Sequence, residues 1–191
     1  MRLSTRDLPL QKLLVEIFSI VLGVLLALAM NQWRESRSQR AQADTALANI
    51  VLEIRSNREL LAQLHDNNAK ALHEIGAAAE DESEQTSFVP GLQLQDVAWN
   101  TLLTTGVSGF VDYQIILGLA ETYSIQSVYK DLGRQIIEAE LSSAAYSVAA
   151  GTTIDEQRKL REFSGFLELL VAIENQLLAS YEEALAVAEG S

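Results

Sequence analysis

Two hydrophobic rhythms divide this chain. From Leu13 to Trp33 apolar residues run almost without a break. Beyond Glu35 they thin to a seven-residue repeat. One set of positions reads Leu47, Ile54, Leu61, Asn68 and Ile75; the other reads Ile50, Asn57, Leu64 and Ala71. That spacing draws one apolar seam along a helix, as in helices that pack side by side. Asn57 and Asn68 interrupt the seam. Such residues either fix register and oligomer state or mark a wet stretch of core, and both readings stand. Nothing breaks the helix until Gly76, so a helix is expected over 35–79, running straight on from the apolar segment.

The stretch "EDESEQTSFVPG", residues 80–91, is acidic, polar and closed by Pro-Gly, which reads as a loop. It lacks the ligand positions and central glycine of a calcium loop. "LQDVAWNTLLTTG" predicts a short helix over 94–105, packing through Val97, Trp99, Leu102 and Leu103. "VSGF" breaks it. A third helix is expected over 111–150, with Ile116, Leu119, Tyr123, Ile136 or Ile137, Leu141 and Val148 inward and Gly151 as C-cap. Thr153 and Glu156 have capping-box spacing for a last helix over 153–188. There Leu160, Phe163, Leu167, Leu170, Leu177, Tyr181 and Ala184 keep the seven-residue spacing. No segment alternates as a strand does. The expected fold is all-α: an N-terminal transmembrane helix continuing into a long helix, then an antiparallel helical bundle with coiled-coil-like packing. Residues 1–12 form a short basic tail, 13–33 the transmembrane helix and 34–191 the bundle domain.

The apolar run is 21 residues, about 30 Å as a helix and so roughly one hydrocarbon core. Lys12, Trp33, Arg34 and Arg37 sit where interfacial anchors belong. Arg34, Arg37 and Arg40 suit anionic lipid head groups and equally a solvated helix start, and both readings stand. "ALA" at 27–29 resembles a signal-peptidase site, but Glu16 interrupts the usual approach to an apolar core, so a retained anchor is expected. Glu16 has two readings. It reaches the interface beside Lys12, four residues earlier. Or it belongs to a stripe of Glu16, Ser19, Gly23, Ala27 and Asn31, spaced by three, four, four and four. Small residues let a second helix approach closely, and polar ones bond across the contact. A ring of such acids lining an ion path is a third reading. Three Lys/Arg precede the span and three follow it; the short basic tail favours an extracytoplasmic body.

Charge sharpens the division. Residues 1–61 carry 8 Lys/Arg and 6 Asp/Glu; residues 62–191 carry 6 and 20, so +2 and −14 give the net −12. An acidic body repels phosphate, and no nucleic-acid partner is expected. The chain has no cysteine, which excludes disulfides and thiolate metal sites. His65 and His73 lie eight apart, about 80° around a helix, and read as exposed surface histidines. No HExxH, P-loop or GxGxxG occurs. No catalytic residue, metal or cofactor is expected, and the chain does not read as an enzyme. Trp99, Tyr113, Tyr123 and Tyr129 are candidates for the wall of a ligand pocket between helices, or form ordinary core.

Two blocks carry a resemblance. The first is Glu16, Gly23, Ala27, Asn31, Trp33 and Arg34; the second is "AWNTLLTTG…DYQIILGLAETYS", Ala98–Ser124. Together they resemble an uncharacterised family of small bacterial single-pass membrane proteins with a domain of unknown function. The resemblance covers about a third of the chain. It implies a bacterial inner-membrane protein and brings no activity with it. The expected role is an oligomerising scaffold, adapter or subunit of a membrane complex, partnered by lipid and by itself or another membrane protein. A sensory bundle that binds a small ligand, and an ion-conducting oligomer, are the alternatives.

Overall fold

The computed structural model describes residues 10–77, 93–150 and 156–190. The loop expected at 80–91, Gly151 and Thr153 lie outside them, as do the side chains of Leu141, Val148, Glu156 and Leu160. Every regular element among the described residues is helical. Helix α1 spans Leu10–Ala77 as one 68-residue helix. Helix α2 spans Val97–Thr105 and is followed by a 3-10 turn, Val107–Phe110. Helices α3, Tyr113–Ala150, and α4, Glu156–Glu189, complete the chain.

Local chemistry sets the breaks. Gly106 ends α2 at φ 72°, a left-handed conformation that costs a Cβ-bearing residue strain. Asp112 starts α3: its carboxylate accepts the Gln114 N–H at 2.8 Å. Between 35 and 77 α1 meets neither proline nor an early glycine, so it continues.

The chain divides into two units, Met1–Gln42 and Ala43–Ser191. In the first, every side chain from Lys12 to Glu35 is exposed. It holds the one helical stretch among the described residues long and apolar enough to cross a membrane, with a mean hydropathy of 2.7.

The second unit is a bundle. Its seam on α1 follows the seven-residue pattern: Ile50, Ile54, Leu61, Leu64 and Ala71 are buried, with Leu47 and Ile75 packed at the margin. Asn57 and Asn68 are as buried as their apolar neighbours. On α4, Leu167, Leu170, Leu177, Tyr181 and Ala184 face the core. On α3, Leu119, Tyr123 and Ile136 do so, joined by Ile115 and Tyr129. Cross-helix bonds give the directions. Arg55 meets Glu189 and Asn68 meets Glu174, so α4 is antiparallel to α1. Thr122 meets Ser180 and Tyr129 meets Glu174, so α4 is antiparallel to α3 as well. Helices α1 and α3 therefore run the same way, and by Gln95 the chain has returned to the level of Asn57.

Helix α2 packs differently from its pattern. Val97 is 68% exposed and Leu103 48%, while Leu102 is buried. In a helix this short, positions five before and one after Leu102 turn well away from its face. The core takes Leu94 and Val107 from just beyond the two ends instead.

Candidate functional site

Two features have chemistry beyond packing: the bare apolar helix, and a line of polar groups inside the bundle.

In the first unit Glu16, Ser19, Gly23, Ala27 and Asn31 are all exposed along α1. A Cβ added at Gly23 would meet nothing within 4 Å, so the groove at this glycine is open. Lys12, Trp33, Arg34 and Arg37 are exposed too. The Arg37 guanidinium lies 5.7 Å from the Trp33 ring centre, a cation–π contact one helical turn apart.

In the bundle, polar side chains gather in two layers. The first rests on Glu53 and Asn57, one turn apart on α1. Glu53 accepts the Tyr123 hydroxyl at 2.6 Å and the Ala98 N–H at 2.8 Å. Ala98 is the second residue of α2, so a carboxylate from another helix satisfies a donor that α2 leaves open. Asp96, at the N-cap, makes no cap bond of its own and instead pairs with Lys130 at 3.2 Å. Asn57 binds the Gln95 backbone both ways: Nδ2 donates to the carbonyl at 2.7 Å and Oδ1 accepts the amide at 2.8 Å. Gln126 donates to the same carbonyl at 2.8 Å and accepts the Tyr181 hydroxyl at 2.6 Å. Four segments thus converge on one buried network. Burial pushes the hydroxyls of Tyr123 and Tyr181 upward, with the nearby Glu53 carboxylate adding to both, so they stay protonated donors.

The second layer centres on Glu174 of α4, which is fully buried. Its Oε1 accepts from Asn68 Nδ2 at 2.7 Å and from the Tyr129 hydroxyl at 2.6 Å. Its Oε2 is buried with no partner, and so is His65 Nε2. Burial raises the Glu174 carboxyl above the ordinary carboxylate range; the two bonds and the charge of His65 oppose this. In both layers a carboxylate receives a tyrosyl hydroxyl from α3.

The candidate aromatic wall is not one wall. Trp99 stacks on Tyr123 with ring centres 5.3 Å apart and planes at 6°. Tyr123 and Tyr129 are buried core residues whose hydroxyls go to different carboxylates. Tyr113 is 69% exposed: as the first residue of α3 it sits beside the capping Asp112. An open apolar cleft lies elsewhere, lined by Leu47, Val51, Phe110, Val111 and Ile115, and contains none of the four.

His65 corrects an expectation. It is not a surface histidine: its side chain is 22% exposed and its Nε2 fully buried, because it flanks the seam between Leu61 and Asn68. His73 is exposed as expected. Among the described residues no group of three His, Cys, Asp or Glu could hold a metal ion. Sequence pattern pointed to Asn57 and Asn68 but missed Glu53, Gln126 and Glu174, whose polar identities hid their core positions. A signal was present for Glu174: it lies four residues after Leu170 and three before Leu177, on the same face of α4.

Compared with protein-family models, with curated proteins and with solved structures, the chain gives no match.

Proposed function

We propose that this protein is a single-pass membrane-anchored bundle that acts as a scaffold, adapter or subunit in a membrane assembly. One observation carries the reading: the apolar half of α1 is bare on every side while the other half of the same helix is part of a well-packed core. Fourteen large apolar side chains between Leu13 and Trp33 are exposed. At 1.5–3 kcal/mol each, shielding them from water is worth on the order of tens of kcal/mol, more than a domain's whole stability. A bilayer supplies that shelter. The stripe from Glu16 to Asn31 then offers a second helix close approach at Gly23 and Ala27 and polar groups on either side of them.

The bundle offers no comparable evidence for catalysis. Its buried carboxylates are engaged in bonds that hold helices together, which suits a rigid body presented at a membrane surface. We place that body on the extracytoplasmic side, on the basic tail of Arg2, Arg6 and Lys12.

The experiment is the native mass of the intact protein after gentle extraction from its own membrane. A defined oligomer, or a monomer carrying another membrane protein, supports the reading. The double variant Gly23→Leu with Ala27→Leu should lose that association while the bundle stays folded. A bare monomer, unaltered by the variant, overturns the association role. Sidedness is read by placing Glu121→Cys, an exposed position in a chain without cysteine, and labelling it with an impermeant thiol reagent.

A further inference from the structure

The open apolar cleft of the second unit has a volume of about 670 Å³ and lies between α1 and the start of α3. Ala43 and Ile115 are buried in it; Leu47, Val51 and Val111 are half-buried. Leu52 is 61% exposed and Phe110 39%, so two large apolar side chains stand at its edge. Exposed apolar residues are ordinary when scattered singly. Gathered around one concavity, with polar residues at the rim, they mark a place of contact.

The charges around the cleft are ordered along it. Asp44, Ala48, Leu52 and Arg55 follow at four, four and three residues, so they form one row on α1, about 16 Å or three turns long. Asp112 joins from the start of α3. Helices α1 and α3 run the same way, with Glu53 level with Tyr123 and Asn57 with Gln126. Asp44 lies nine residues before Glu53 and Asp112 eleven before Tyr123, so both carboxylates come to one end of the cleft. Asp112 gives one oxygen to the Gln114 N–H. Among the described residues neither acid forms an ion pair. Arg55, toward the other end, is engaged by Glu189 at 2.8 Å.

We propose that this cleft docks a basic amphipathic helix of a partner protein. Its apolar stripe lies on Leu47, Val51, Leu52 and Phe110, and a lysine or arginine meets Asp44 and Asp112. Three features select this occupant. The row on α1 has the length of a short helix, and helices recognise such grooves through apolar side chains three, four and seven residues apart. The two uncompensated acids call for a cation, and residues 43–191, with 8 Lys/Arg against 23 Asp/Glu and a net of −15, draw one in. The same charge disfavours a second copy of the bundle and anionic lipid head groups. A small molecule is ordinarily enclosed over most of its surface, which an open cleft does not provide. The inference goes beyond the membrane-association reading and does not rest on it, since none of these residues lies in the apolar half of α1.

The probe is a synthetic helix of about four turns, with leucine on one face and lysine elsewhere. Its control carries glutamate in place of lysine. Each is titrated into the full chain in uncharged detergent micelles while methyl NMR signals are followed. Leu47, Val51, Leu52 and Ile115 report on the cleft. Leu103 and Leu169, apolar residues exposed elsewhere on the bundle, are the references. The expected result is that the cleft signals shift together and saturate with the lysine peptide, while the references stay and the glutamate peptide has no effect. Asp44→Lys should weaken binding about three- to tenfold, and Leu52→Glu at least about tenfold. Both positions are exposed, so the bundle stays folded. The proposal is overturned if the references move with the cleft, if the two peptides act alike, or if neither moves it. It is also overturned if the cleft signals depend on protein concentration without peptide, the mark of a second copy, or show contacts to detergent chains alone, the mark of lipid. The double variant Gly23→Leu with Ala27→Leu should bind the probe as the wild type does, so loss of docking and loss of membrane association are read separately.

Discussion

The two halves of α1 treat apolar residues in opposite ways. Before Glu35 they cover the whole circumference of the helix and none is buried. From Ala43 onward most of them occupy one stripe, and that stripe is almost wholly buried, with Leu52 exposed off it. The polar residues differ in the same sense. In the first half Glu16 and Asn31 are exposed on an apolar helix; in the second, Asn57 and Asn68 are buried in an apolar core. One helix carries two patterns. The first half is long and apolar enough to cross a membrane, and the second is apolar on one side, as in helices that pack on other helices.

Truncation breaks that contrast most sharply. Leu61→Ala or Leu177→Ala, at fully buried positions, should destabilise the bundle by about 2–5 kcal/mol in denaturant titrations. Leu25→Ala, in the exposed half, should leave the same transition unmoved. Asn57→Ala comes next. It strips partners from both the amide and the carbonyl of Gln95, although Gln126 still reaches the carbonyl. A loss of about 2–3 kcal/mol is expected, with faster hydrogen exchange at Gln95. A smaller, pH-dependent effect belongs to Glu174. Its folded-state pKa lies above the unfolded value, so the folded chain holds the proton longer. That contribution is complete below the unfolded carboxyl pKa and is lost as pH rises through the folded one. Acidifying from neutral pH should therefore raise the unfolding midpoint, and Glu174→Gln should flatten this slope. The smallest effect concerns the exposed pairs Arg55–Glu189 and Arg58–Glu182, at 2.8 and 3.1 Å. Replacing either arginine with alanine should cost less than about 1 kcal/mol, and less still in high salt.

Much of the fold was legible because helix periodicity is a local property. The seven-residue positions of α1 and α4 match the buried faces where their side chains are described, and the ends of α3 and α4 fall within a few residues of the pattern. The short helix was less legible. Val97 and Leu103 are apolar but turn outward, since nine residues give packing little to average over. The polar network was half legible. An asparagine on an apolar seam is visible in a sequence; the backbone of Gln95 as its partner is not, for that pairing spans 38 residues. His65 was misjudged because its position beside the seam, rather than on it, looks like surface until α4 is packed against it. The bare apolar helix was fully legible, because an unbroken apolar run needs no partner to be recognised.

The placement of the two tryptophans has an optical consequence. Trp33 closes the apolar segment and is 62% exposed, beneath the Arg37 guanidinium. Trp99 lies flat on Tyr123 in the bundle. The chain has no third indole, so its fluorescence is the sum of two independent reporters, one in the apolar half of α1 and one in the bundle. Trp33 should emit at shorter wavelengths in vesicles and be quenched by lipids brominated near the head group. Trp99 should ignore the lipid and change only when the bundle unfolds. Replacing either with phenylalanine isolates the other, so a single cuvette can follow anchoring and folding separately in an otherwise unlabelled protein.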